Sequence, residues 1–211
     1  MRSDHRYGRD VGIYDRLAGG YEDMRIQSVR STVHLGLLDW IAGSNAEPPK
    51  RILDVGCGTG AMLRRIAWLF PSAELFGVDP APGMVAEARR RTAEDFGITY
   101  VQGTAEELPY DDGHFDLVVS TLCFHHWRSR TEGLSEVSRV LRPGARFGLA
   151  DHFAIGWLRP TFTLLRSRDR VLRPSELEPV MTQAGLTVDG WRLLYRLGPL
   201  PYIHGVLTRR A

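Results

Sequence analysis

The stretch ILDVGCGTG, Ile52 to Gly60, is an apolar run that carries one acid and closes on three alternating glycines. A turn of this kind joins the end of a buried strand to the start of a helix. The residues that follow repeat the unit. RILDVG, ELFGVD, ITYVQG, FDLVVST and ARFGLADHF read as short strands. Between them AMLRRIAWLF, PGMVAEARRRTAEDF and RTEGLSEVSRVL read as helices, the first stopped by Pro71 and the last by RPG. Strands separated by helices of this length form a parallel, doubly wound sheet with right-handed crossovers.

The two ends depart from this alternation. Val29 to Ala42 has helical spacing through Val29, Val33, Leu37, Leu38 and Ile41, and SNAEPP follows as a linker. The polar leader before it carries Tyr7, Tyr14 and Tyr21. Towards the other end, RPSELEPVMTQAGL predicts a helix with Ser175 as N-cap, Glu178 completing a capping box and Gly185 as the stop. TVDGWRLLYRL and PYIHGVLTRR then follow with only GPLP joining them, so they predict an antiparallel hairpin. The expected fold is α/β: a doubly wound, Rossmann-like, mostly parallel seven-stranded sheet with a C-terminal antiparallel hairpin.

Composition narrows the function. A length of 211 residues with 43 % hydrophobic content suits a single globular domain. The net charge of +2 gives no strong field towards nucleic acid or an anionic membrane. Cys57 and Cys123 form neither a disulfide framework nor a zinc site, which needs about four ligands, and no metal is expected. No apolar run approaches ~18 residues and no leader-like apolar stretch follows Met1, so a cytoplasmic chain without a membrane span is expected.

The glycines alone leave two ligands open. Gly56, Gly58 and Ala61 satisfy the dinucleotide form Gly-x-Gly-x-x-Ala, and Asp79 follows at the right distance for ribose hydroxyls. Asp54 separates the two. A dinucleotide would set its pyrophosphate over this turn, where a carboxylate repels it. S-adenosylmethionine carries an ammonium and a sulfonium but no phosphate, so the same acid favours it.

In its motifs the chain resembles the class I S-adenosylmethionine-dependent methyltransferases, especially the small-molecule branch related to ubiquinone- and menaquinone-biosynthesis enzymes. The resemblance runs from about Tyr14 to the end. It rests on LDVGCGTG, FGVDPAPGMV, VQGTAEELPYDDGHFDLVVS, FHHW, EVSRVLRPGARFGLAD and SELEPVMTQAGL, in the family's order. It implies that residues 46–211 form the cofactor-binding methyltransferase domain, that 1–45 form a helical lid, and that a short cap lies around 154–172. Asp54, Gly56, Gly58 and Gly60 would meet the methionine portion, Asp79 with Pro80 the ribose, and Met84 the adenine face. Ser120, at the end of the fourth strand, would border the cofactor. The family's third strand ends in Gly-Asp-Ala, which receives the adenine amino group. Here it reads Gly103, Thr104, Ala105, so that acceptor is an uncharged hydroxyl. YDRLAGGYEDM resembles the family's opening helix; Tyr14 and Tyr21, seven apart, would share one face, with Tyr21 over the methionine end.

Methyl transfer is an in-line displacement at a sulfonium carbon, so the protein mainly aligns nucleophile, carbon and sulfur. An oxygen or nitrogen nucleophile also gains from a base, typically ~10²–10⁴-fold. His125 and His126, just past the fourth strand, and His152, past the fifth, stand where open sheets bind ligands. His126 is the first choice. Phe153, Trp157 and Phe162 are candidates for an aromatic wall over the acceptor. STLCFHHW lacks the Asn/Asp-Pro-Pro-aromatic segment of amino-methylating DNA enzymes, and two cysteines are too few for arsenite. The expected enzyme methylates a small molecule on O, N or C and binds no nucleic acid; a homodimer stays open. Two other readings remain at this level: a nicotinamide-dependent oxidoreductase, and a non-catalytic S-adenosylmethionine-binding partner protein.

Overall fold

The structure is a computed structural model that describes residues 2–24, 27–44, 47–153, 155, 172–198 and 200–211. Period-two alternation sorts the strand side chains between two cores. On β1 (Arg51–Val55), Ile52 faces one core while Leu53 and Val55 face the other. On β4 (Phe115–Thr121), Leu117 and Val119 share the first face and Val118 takes the second. Leu37 and Ile41 of α2 (Gln27–Ser44), Leu63 and Ile66 of α3 (Ala61–Leu69) and Ala88 of α4 (Pro82–Arg91) cover the first face. Leu134 and Val137 of α5 (Arg130–Val140), with Leu177 and Met181 of α6 (Pro174–Gln183), cover the second. Each large apolar side chain so buried contributes ~1.5–3 kcal/mol. Burial on both faces is why the strands read as nearly continuous apolar runs.

The sheet order is β3 (Thr99–Gln102), β2 (Glu74–Asp79), β1, β4, β5 (Leu141–Asp151), β7 (Leu200–Arg210), β6 (Leu186–Leu197). The first five strands run parallel, and β7 is antiparallel to both of its neighbours. The predicted sheet and hairpin are therefore both present. The order reverses between β1 and β4, which opens a crevice at their carboxyl ends, the usual ligand position in such sheets.

Several boundaries differ from expectation. Helix α6 starts at Pro174, not after Ser175: proline at the first helical position presets φ, and Glu176 Oε2 accepts the Arg173 N–H at 2.8 Å. Glu178 instead accepts from Trp191 Nε1 at 2.7 Å, while Gly185 ends the helix at φ +80° as expected. Helix α4 stops at Arg91, short of Phe96, because Thr92 turns extended and its hydroxyl bonds back to Ala88 O at 2.7 Å. Helix α1 (Arg2–Leu17) breaks before Gly19 and Gly20 into a 3₁₀ turn, Ala18–Asp23. Tyr14 and Tyr21 thus occupy different elements, yet their rings meet edge to face at 5.9 Å. Phe153 is buried in the second core against Trp191 rather than walling a ligand. The cap around 154–172 lies outside the described residues apart from its edges, as do Trp157 and Phe162.

Candidate active site

The glycine loop is built by three left-handed residues, Gly56, Gly58 and Gly60, at φ +77°, +52° and +79°. Two of them also make room for neighbours. A Cβ on Gly56 would overlap Cys123 Sγ, and one on Gly60 would overlap the Tyr100 hydroxyl. Gly58 borders open space, with Tyr21 Cε1 3.9 Å from where its Cβ would stand. Asp79, at the end of β2, ties the loop down: its carboxylate accepts from Gly58 N and from Ala81 N, each at 2.9 Å. The loop floors a cleft whose walls include Tyr21, Arg30, Asp54, Asp79 and His126.

Unsatisfied polar atoms mark what the cleft needs. Asp54 on β1 is buried, and its Oδ1 has no partner. Burial, with Asp79 nearby, pushes its carboxyl up to about 8. Burial also raises Asp79, to about 6, against the Ala81 and Gly58 N–H groups that hold it down. On α2, Arg30 lays its guanidinium 4.0 Å over the Tyr21 ring, and its Nε is buried without a partner. One turn on, His34 Nε2 meets Thr121 Oγ1 at 3.1 Å. Burial, with Arg65 and Arg30 close by, lowers that imidazole to about 3. In the turn after β3, Glu106 Oε1 accepts from Ser129 N at 2.9 Å, while its Oε2 and the Tyr7 hydroxyl are buried without partners. Burial, then the Glu106 charge, raise Tyr7 to about 12.

Asp54 carries a pH signature. Its carboxyl is raised from 3.8 to about 8, so the folded state holds a proton that the unfolded chain has lost between those values. Stability then falls as pH rises through that window and levels off above it. Below 6.5 His34 acts oppositely, because there the unfolded chain holds the extra proton. Between pH 6.5 and 8 the melting temperature of the ligand-free protein should therefore fall. The slope limit of ~1.4 kcal/mol per pH unit caps the loss at about 2 kcal/mol. Scanning calorimetry of Asp54→Asn should show that slope removed; an unchanged slope would mean Asp54 is ionised in the folded protein.

Side chains of α1 and of the 3₁₀ turn after it bond to the rim of the cleft. His126 Nδ1 lies 3.0 Å from Asp10 Oδ2 and its Nε2 2.9 Å from the Tyr14 hydroxyl; with its single proton on Nδ1 the ring donates to Asp10 and accepts the Tyr14 O–H. Asp15 Oδ1 accepts the Gly83 N–H at 2.6 Å and so caps α4, whose own N-cap residue offers no side-chain bond. Glu22 Oε1 accepts from Thr59 Oγ1 and Arg64 Nη2, each at 2.6 Å. His126 reaches its place through Leu122, a non-glycine residue at φ +55°, a conformation that costs of order 1–3 kcal/mol.

Of the predicted site residues, Tyr21, Asp54, Gly56, Gly58 and Asp79 line the cleft. Pro80, Met84, Gly103 and Ala105 line its β2–β3 end, and His126 lines it beside α1. Five others do not reach it. Gly60 packs on Tyr100, and Thr104 bridges to Glu107. Ser120 is buried with its hydroxyl on Cys123 Sγ at 3.0 Å. His125 gives both its Nδ1–H and its backbone N–H to Asp151, a carboxylate that burial would raise but the His125 pairing holds down to about 2. His152 packs edge-on to Tyr202, and burial lowers its pKa. Asp10, Arg30, His34 and Glu106 line the cleft unforeseen; the four-residue spacing of Arg30 and His34 on one helix was the available signal. Both cysteine thiols are pushed up by burial, so neither offers a thiolate. Among the described residues no three His, Cys, Asp or Glu converge as metal ligands would.

A ligand that satisfies this cleft needs N–H donors for two carboxylate oxygens, hydroxyls for Asp79, and an anionic group for Arg30. Residues 53–149 match the family model described as a methyltransferase domain. The chain is 30 % identical to the demethylmenaquinone methyltransferase of Symbiobacterium thermophilum, with 86 % of each covered. It is 32 % identical to an uncharacterized methyltransferase of Mycobacterium tuberculosis, over 83 % of this chain and 66 % of that one. A solved SAM-dependent methyltransferase of Thermotoga maritima has the same fold, with a TM-score of 0.69 at 20 % identity, covering 95 % of this chain and 99 % of that one. Among the described residues no helix is long and apolar enough to cross a membrane.

Proposed function

The chain belongs to the class I S-adenosylmethionine-dependent methyltransferases, and on that premise we propose which of its residues bind the cofactor and take the acceptor's proton. Membership displaces the oxidoreductase and the non-catalytic binding protein that the sequence left open. The cofactor supplies an activated methyl and a neutral thioether leaving group. The observation that carries the site is the orphaned, buried Asp54 Oδ1. An ammonium placed against it satisfies that oxygen and restores its charge, and Arg30 suits the adjoining carboxylate. Asp79 retains lone pairs for ribose hydroxyls beyond those given to Gly58 and Ala81.

The acceptor is a small molecule. We assign it the space under α1, walled by Val11, Tyr14, His34, Leu122 and His126. A hydroxylated aromatic ring fits this mixture of apolar wall and proton relay, and the Symbiobacterium relative is named for demethylmenaquinone, whose two-electron-reduced quinol form is such a ring and is the form that could give up a hydroxyl proton. The acceptor hydroxyl passes its proton to Tyr14 as the Tyr14 proton moves to His126 Nε2, and Asp10 holds the resulting imidazolium. His126 therefore acts behind Tyr14, because α1 engages both of its ring nitrogens.

Residues 1–45 serve as the lid and 46–211 as the methyltransferase domain. The same reading places the enzyme in the cytoplasm; sedimentation would test a homodimer. Calorimetric titration with S-adenosylhomocysteine should show one site that nicotinamide dinucleotide does not compete for, and amide exchange across residues 7–24 should slow on binding. Dinucleotide competition would overturn the cofactor assignment. Equal exchange in both states would remove the lid.

A further inference from the structure

The turn after β3 has a threonine at the triplet's acid position and holds another acid, Glu106, with one oxygen left without a partner. Thr104 stays outside the cleft, bridged to Glu107, whose N–H meets the Thr104 carbonyl at 3.4 Å. Glu106 enters the cleft instead. The Ser129 N–H, at the start of α5, fixes one carboxylate oxygen at 2.9 Å. The other, Oε2, is buried and unpartnered.

We propose that Glu106 Oε2 accepts an N–H of the adenine amino group, which makes Glu106 the residue that selects an adenine ring; this rests on the cofactor assignment above. Topology supplies the register. The carboxyl ends of β3, β2 and β1 lie side by side in that order and present Glu106, Asp79 and Asp54. Two strand spacings of ~4.8 Å separate β3 from β1. The cofactor offers its donors in a matching series: ring amine, ribose hydroxyls, ammonium. Asp54 shares the sheet face of Ile52, the face that α2 covers and from which Arg30 can meet the carboxylate. The amino-acid end therefore belongs at β1, and the ring falls at β3. Met84, Ala105 and Trp127 give that end apolar walls. A carboxylate only accepts hydrogen bonds, so it suits an amine and opposes a ring carbonyl at the same position.

The experiment compares S-adenosylhomocysteine with S-inosylhomocysteine, which carries a carbonyl where adenine carries the amine, by calorimetry on the full chain. The wild type should prefer the adenine compound by about 100-fold or more. Glu106→Gln keeps a carbonyl oxygen for Ser129 and turns an NH₂ towards the ring. It should narrow the preference at least ~10-fold, weakening the adenine compound and strengthening the inosine compound. An unchanged melting temperature would show that the variant folds. Equal wild-type affinity for the two compounds, or an unaltered preference in the variant, would overturn the assignment. Failure of the wild type to bind S-adenosylhomocysteine at all would instead overturn the cofactor-site reading beneath it.

Discussion

Tyr14→Phe is expected to lower kcat by ~10²–10⁴ while leaving S-adenosylhomocysteine affinity within about threefold. Phenylalanine keeps the ring that meets Tyr21 and His126 edge to face, so packing of α1 over the cleft survives. What it loses is the hydroxyl 2.9 Å from His126 Nε2, the atom through which a proton would pass. Turnover should be followed as S-adenosylhomocysteine release with a demethylmenaquinol as acceptor. His126→Gln and Asp10→Asn should fall in the same series, with the Asp10 change the mildest because it only removes charge behind the ring. A loss under about tenfold in Tyr14→Phe would mean that alignment alone sets the rate. A large loss in His126→Gln with Tyr14→Phe intact would put the imidazole itself against the acceptor.

Asp79→Ala should weaken S-adenosylhomocysteine by ~10²–10³-fold, since hydrogen bonds to a charged group contribute about 1.5–3 kcal/mol each. The loss is larger than one ribose contact would give. The same carboxylate holds Gly58 N and Ala81 N, so the glycine loop and the start of α4 lose their common anchor together. Asp79→Asn keeps an acceptor oxygen and should lose less. Calorimetry decides: an alanine variant with wild-type affinity would show that the ligand does not lie along β2.

The sheet was legible because both its faces are buried, which writes each strand as an apolar run and each crossover as an amphipathic one. Asp54 was legible because an acid at that turn suits an ammonium better than a pyrophosphate. The histidines were not. His125 and His126 are adjacent, but they sit on a 3₁₀ turn that sends one side chain to Asp151 and the other to Asp10 of α1. Their partners lie 26 and 116 residues away, beyond the reach of any local pattern. Glu106 was hidden by its neighbour, because the acid of the resembling family's triplet stands at the position that Thr104 occupies, two residues earlier. At α6 two capping patterns overlap by two residues, and the proline at the first helical position decided for Arg173 and Glu176.

Strand β7 is made after β6 yet lies inside the sheet, between β5 and β6. Asp151 pairs with His204 and Arg146 with Arg209, so β5 keeps an unpaired edge until those later residues exist. Strand β6 has no berth of its own until then. At ~5–20 residues per second of synthesis, the wait lasts several seconds. Among the described residues, those that line the cleft have all been made by Trp127, long before that moment. The nascent chain thus acquires its ligand-binding edge first and its closing strand last. In that interval the open side of β5 is the surface most exposed to pairing with a foreign strand.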